Sequence, residues 1–116
     1  MIVDDALHSV QIMESRLKIQ QYQTFTANSG EQALDILEKH PDMDIAIIDY
    51  FMQGMNGYEL ASKIRLKYTN ELLKIIGVSG LSDPHISAHF IKSGANDFLH
   101  KPFEPEEFYC RVNSMA

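Results

Sequence analysis

A chain of 116 residues, 45% of them apolar, has the size of one ordinary domain and enough apolar side chains for a single core without disulfides. Its formal charge is −6 and no cluster of Lys and Arg occurs, which excludes the cationic surface that a nucleic-acid backbone requires. One cysteine, Cys110, cannot form an internal disulfide, and neither a signal peptide nor an apolar stretch of membrane-spanning length is present, so the expected setting is a reducing cytoplasm with no membrane partner.

Met1-Ile2-Val3 is a short apolar start that runs straight into Asp4-Asp5. Over residues 7–21, Val10, Met13 and Leu17 recur at helical spacing among charged residues, which predicts an amphipathic helix. Residues 23–27 alternate like a half-buried edge strand. Asn28-Ser29-Gly30-Glu31 carries N-cap chemistry, and Ala33, Leu34 and Leu37 form the stripe of a second helix ending before Pro41. Residues 45–49 read as a buried strand that delivers Asp49 to its end, followed at once by the turn-forming Gln53-Gly54-Met55-Asn56-Gly57. A third helix is expected near 58–68, on Leu60, Ala61 and Ile64. Residues 74–79 form another apolar strand, Pro84 opens a helix over 84–93, and Gly94 closes it as a left-handed cap. A short strand over 97–100 stops at Lys101-Pro102, and a last helix spans 104–115 with Phe108 and Val112 inward. Five strands alternating with five helices imply an α/β domain with a parallel sheet covered on both faces and right-handed crossovers.

In such folds ligands bind beyond the carboxyl ends of the strands, and Asp4, Asp5, Asp49, Ser79 and Lys101 all fall there. Each has an ordinary explanation alone: Asp5 as a helix cap, Asp49 as a turn opener, Ser79 as a strand end, Lys101 as a solvated cation. Together they make a site. Clustered carboxylates raise one another's pKa, and a hard cation such as Mg²⁺, which favours a few carboxylates plus water, relieves that repulsion. An Asp carboxylate can attack phosphorus to form an acyl phosphate, while a metal ion and a lysine neutralise the equatorial oxygens. Asp49, on the middle strand, is the best nucleophile. His85 and His89 stand four apart, but without a third ligand they read as exposed surface histidines, Cys110 reads as a packing or interface residue, and the six methionines read as core fillers.

Val3-Asp4-Asp5, Asp49 to Gly57, Val78-Ser79-Gly80, Gly94-Ala95-Asn96-Asp97-Phe98-Leu99 and Lys101-Pro102-Phe103 give the whole chain, 1–116, its resemblance to the receiver domain of bacterial two-component response regulators. The resemblance implies a flavodoxin-like, doubly wound sheet in strand order 2-1-3-4-5. It implies that Asp49 accepts a phosphoryl group from a histidine kinase or a histidine phosphotransfer protein. Asp5 and Asp49 would bind Mg²⁺ with the backbone carbonyl of Phe51, Asp4 would assist through water, and Lys101 would pair with phosphoryl oxygens. Ser79 would then close onto them and Phe98 change rotamer, altering the face made by the fourth helix, fifth strand and fifth helix. That face would control an output domain in cis and serve a homodimer. An isolated domain of this kind catalyses only its own phosphorylation and dephosphorylation.

Departures from the pattern carry expectations of their own. Gln53 stands where the family very often has proline, so the loop after Asp49 is expected to be looser; Phe98 replaces the commoner tyrosine. Phe51 and Leu81, two residues beyond Asp49 and Ser79, are bulky and apolar where receivers tune the access of water, which suggests slow dephosphorylation. A haloacid-dehalogenase type of enzyme would want a second Asp where Phe51 stands, and a flavodoxin-like FMN carrier would not place Asp4-Asp5 against a phosphate. The remaining alternative is a pseudo-receiver, an interaction module that is not phosphorylated. The short first strand and uncapped last helix suggest a fragment of a longer protein, and residues 94–99 with 102–112 resemble receivers fused to GGDEF diguanylate cyclase domains.

Overall fold

The computed structural model describes residues 1–116. The expected strands and helices alternate as β1 (Ile2–Val3), α1 (Leu7–Ile19), β2 (Thr26–Ala27), α2 (Gly30–Lys39), β3 (Ile45–Asp49), α3 (Gly57–Arg65), β4 (Lys74–Ser79), α4 (Pro84–Lys92), β5 (Asp97–His100) and α5 (Pro105–Met115). All strand pairs are parallel and the sheet order is β2-β1-β3-β4-β5, the flavodoxin-like doubly wound arrangement.

Strand side chains alternate between two faces, and each face has its own core. Val3, Ala46, Ile48 and Ile75 pack with Ala33 and Leu37 of α2, Leu60, Ala61 and Ile64 of α3, and Ile86 and Phe90 of α4. Ile2, Ile47, Ile76, Val78 and Leu99 pack with Met13 and Leu17 of α1 and Phe108 and Val112 of α5. The near-continuous apolar runs of β3 and β4 follow from burial on both sides. The break in β4, Gly77, lies beneath Phe90: a Cβ there would stand 2.6 Å from the phenyl ring. Met1, Met13 and Met52 are buried, in keeping with a filling role.

Helix starts follow their expected chemistry in two cases. Ser29 Oγ accepts from the Gln32 N–H at 3.1 Å, and Asp83 Oδ1 accepts from the His85 N–H at 2.9 Å with Pro84 in the first turn. Gly94 closes α4 with φ of 123°. The expected edge strand over 23–27 shortens to Thr26–Ala27, because β1 offers only Ile2–Val3 for pairing, although the Phe25 carbonyl still accepts from Ile2 N at 2.8 Å. The third helix ends at Arg65, three residues early, and Arg65 explains the stop. Its guanidinium folds back onto the carbonyls of Leu73 (2.7 Å), Thr69 (3.1 Å) and Gly94 (2.9 Å) and onto Asn96 Oδ1 (2.9 Å). Asn96 Oδ1 also accepts from Ile75 N at 2.8 Å, so one cation and one amide fasten the α3–β4 and α4–β5 connections together.

Candidate functional site

Parallel strands bring their carboxyl ends to one edge of the sheet, and β1, β3, β4 and β5 place Asp4, Asp49, Ser79 and Lys101 there. Register alone sets Asp49 against Val78, one residue short of Ser79. Lys101, joined to Pro102 by a cis peptide bond, is held when its N–H donates to the Ser79 carbonyl at 2.7 Å. Its ammonium then donates to Asp4 Oδ2 at 2.6 Å, to Ser9 Oγ at 3.1 Å and to Asp49 Oδ1 at 3.3 Å. Asp4 is fully buried, and its other oxygen accepts from the Ala6 N–H at 2.9 Å, at the start of α1. Asp5 is therefore not the cap of that helix. It is exposed, and its Oδ2 accepts from the Gln53 N–H at 3.0 Å.

That last bond reverses one expectation. A proline at position 53 has no N–H to give, so Gln53 ties the β3–α3 loop to Asp5 instead of loosening it. The loop re-enters the fold at Gly57, whose N–H donates to the Tyr50 carbonyl at 2.9 Å. A Cβ on Gly57 would overlap the Asp49 carbonyl oxygen at 1.9 Å, so only glycine lets α3 begin this close to the acidic residue.

One oxygen from each of Asp4, Asp5 and Asp49 lies within 4.8 Å of the others. With all three ionised, one ammonium leaves an excess of two negative charges. The Asp49 carboxyl is pushed up to about 6, chiefly by burial, with Asp4 and Asp5 adding to the rise and Lys101 opposing it. Ser79 is buried beside this cluster, and its hydroxyl accepts from the Leu81 N–H at 3.1 Å. Beyond it, Phe51 and Leu81 are about half exposed and flank an open cleft of about 590 Å³, lined also by Tyr50, Asp83, Ile86 and His89.

The receiver-domain family model, "Response regulator receiver domain", matches residues 1–113. The chain is a response regulator receiver domain. It is similar to the heme response regulator HssR of Staphylococcus epidermidis, 36% identical over 115 residues covering 99% of this chain and 50% of the relative. HssR of Staphylococcus aureus is 34% identical over the same length and coverage. The receiver spans about half the length of the curated relatives it matches. Among solved structures, one described as a two-component system response regulator/GGDEF domain protein superposes with a TM-score of 0.94 at 38% identity, covering 98% of this chain and 46% of that one. A response regulator from Chloroflexus aurantiacus superposes with a TM-score of 0.89 at 34% identity, covering 98% and 93%.

Receiver domains in general take a phosphoryl group on an aspartate and bind Mg²⁺, and the donor set here suits that ion: oxygen ligands only, with excess negative charge and one carboxyl already held off its ordinary pKa. Of the residues singled out in this receiver's sequence, Asp4 and Asp49 meet Lys101 directly, Asp5 joins them in the carboxylate cluster, and Ser79 lies alongside. Phe98 does not join them; it is half-buried against Phe90, ring centroids 6.3 Å apart. His85 is exposed as expected, but His89 is not merely solvated: its Nδ1 lies 2.6 Å from the Tyr50 hydroxyl. Cys110 is exposed, so it does not fill the core. Ser9 and the Gln53 N–H were invisible in the sequence. A serine inside a helical pattern carries no signal, and a backbone donor is independent of the side chain that marks it.

Proposed function

We propose that Asp49 is the phosphoacceptor of this receiver, taking a phosphoryl group from a phosphohistidine on a histidine kinase or a histidine phosphotransfer protein. The observation that carries this reading is the Lys101 ammonium, which touches Asp49 and Asp4 at once inside a cluster of three carboxylates. In the transfer an Asp49 oxygen attacks phosphorus as the P–N bond to the donor imidazole breaks. The imidazole leaves with the electron pair, and an acyl phosphate remains on Asp49. Lys101 is placed to pair with the phosphoryl oxygens. Asp5, Asp49 and the Phe51 carbonyl would hold Mg²⁺, with Asp4 assisting through water; when bound, the ion neutralises the transferring oxygens and favours ionised Asp49.

Ser79 then donates its hydroxyl hydrogen to a phosphoryl oxygen. A hydroxyl donates and accepts at once, so it can keep the Leu81 N–H while doing so, and residues 80–83 travel inward with it. Phe98 follows, and the face of α4, β5 and α5 changes, which is the signal to an output domain and to a homodimer partner. Phe51 and Leu81, half exposed on either side of the approach, shield the acyl phosphate from water and make its hydrolysis slow. The output is a GGDEF-type diguanylate cyclase in cis; the 38% identity to a receiver joined to a GGDEF domain supports it.

Incubation with acetyl phosphate and Mg²⁺ should add one phosphoryl group to the intact mass, and Asp49→Asn should abolish it. A wild-type domain that stays unmodified with both reagents, as a pseudo-receiver would, refutes the reading. Replacing Phe51 and Leu81 together by Asn and Glu should shorten the lifetime of the acyl phosphate severalfold, followed by the loss of the added mass with time.

A further inference from the structure

Tyr50 follows Asp49 directly, yet nothing in the acidic pocket uses its side chain. Its main chain is fixed on both sides, because its N–H donates to the Val78 carbonyl at 2.8 Å and its carbonyl accepts from Gly57 N at 2.9 Å. The buried ring sits among Phe51, Tyr58 and Phe90, with centroids 4.8, 5.1 and 5.6 Å away. From there its hydroxyl reaches Nδ1 of His89, in the second turn of α4, at 2.6 Å. The imidazole also lies against the Tyr58 ring, centroids 4.5 Å apart, and the Tyr58 hydroxyl accepts from Nδ2 of Asn56, the residue that caps α3. The end of β3, the first turn of α3 and the middle of α4 therefore meet at one imidazole.

The place of this bond in the fold gives it a role. The other hydrogen bonds of Pro84–Lys92 stay within α4 or run to its flanking residues: His85 N and Ile86 N to Asp83, Ser87 Oγ to Pro84, and Phe90 and Ile91 carbonyls to the chain just beyond. Ile86 and Phe90 attach the helix to the sheet through apolar contacts, which are not directional. Tyr50–His89 is the one side-chain hydrogen bond between α4 and the end of β3.

We propose that Tyr50 is a positioning residue through which the state of the Asp49 pocket is read into α4, its bond to His89 holding the helix in its resting placement. The proposal rests on the phosphoacceptor reading above. When Ser79 draws residues 80–83 inward, Asp83 and Pro84 pull on the first turn of α4, and the fixed Tyr50 hydroxyl opposes the displacement. Asp49 chemistry and the Tyr50–His89 bond thus bias one two-state element from opposite sides.

The test compares wild type with Tyr50→Phe, His89→Ala and His89→Asn, reading the backbone amide resonances of residues 85–92 without and with beryllofluoride plus Mg²⁺. Tyr50→Phe keeps the ring in its buried site, and the exposed imidazole left behind is met by water, so the fold is retained. Loss of the bond should shift the ratio of active to resting placement about fivefold, equivalent to ~1 kcal/mol. The 85–92 amides of Tyr50→Phe and His89→Ala should therefore lie part of the way toward the beryllofluoride positions before any mimic is added. His89→Asn, which offers a polar atom near the Nδ1 position, should remain at rest. Resting positions and mimic-induced displacements in Tyr50→Phe equal to those of wild type would overturn the proposal. Acetyl phosphate labelling of each variant separates the two readings: a labelled wild type with unaltered Tyr50→Phe spectra sinks only the positioning role, whereas an unlabelled wild type sinks both.

Discussion

Asp49 is kept at a cost that can be measured. Its carboxyl sits at about 6 in the fold against an ordinary 3.8, chiefly because it is buried. Between those pH values the folded chain holds a proton that the unfolded chain has released, so stability falls as pH rises through this window and stays lowered above it. Asp49→Asn removes the penalty. At pH 7 the variant should be more stable by about 1–2 kcal/mol, discounted for the solvent that reaches the group, and the difference should vanish below about pH 4; urea unfolding at the two pH values measures it. On the proposed reading, Mg²⁺ should stabilise the wild type at pH 7 and narrow the gap, as a ligand of the folded state alone does. Asp49, Ser79 and Lys101 were legible in the sequence because each ends an apolar run. Gln53 was misread, because the side chain that replaced proline mattered less than the N–H that came with it. Gln53→Pro should weaken Mg²⁺ binding about tenfold by releasing Asp5, as losing a partner behind a metal ligand generally does; titration of the tyrosine fluorescence against Mg²⁺ would show unchanged affinity if the Asp5 bond were incidental.

Among the elements, β3 and β4 were the most legible and β1 and β2 the least. Burial on both faces writes a strand as an unbroken apolar run, whereas a two-residue pairing leaves almost no pattern. The ends of α3 depend on tertiary contacts: Gly57 must pass under the Asp49 carbonyl, and Arg65 must reach carbonyls that arrive from two other connections. The fit of α4 on β4 was equally invisible. Gly77→Ala would drive a methyl into the Phe90 ring, and overpacking of this kind costs roughly 1–3 kcal/mol. Phe90→Leu in the same chain should recover part of that loss, whereas additive thermal shifts for the two substitutions would show that the ring and the glycine do not share one space.

At the scale of the whole molecule, the alternation of elements indicated a two-faced sheet, but the strand order followed from family resemblance, because periodicity does not say which strands are neighbours. The proposed cyclase output is tested by the coding sequence around this domain: a GGDEF domain joined to it supports the reading, and a DNA-binding domain in its place refutes it. Within the domain itself the two polar clusters obey different rules. The acidic edge is made of full charges and is sensitive to dissolved ions, since salt screens such interactions where solvent reaches them. Arg65 bonds only to carbonyl and amide oxygens, so added salt has no paired charge to weaken there. Hydrogen exchange at the amides of Ile75 and Asn96 should accordingly be indifferent to ionic strength under conditions that move the titration of Asp49. The corner that carries α4 thus stays a fixed reference while the electrolyte around the acidic edge varies.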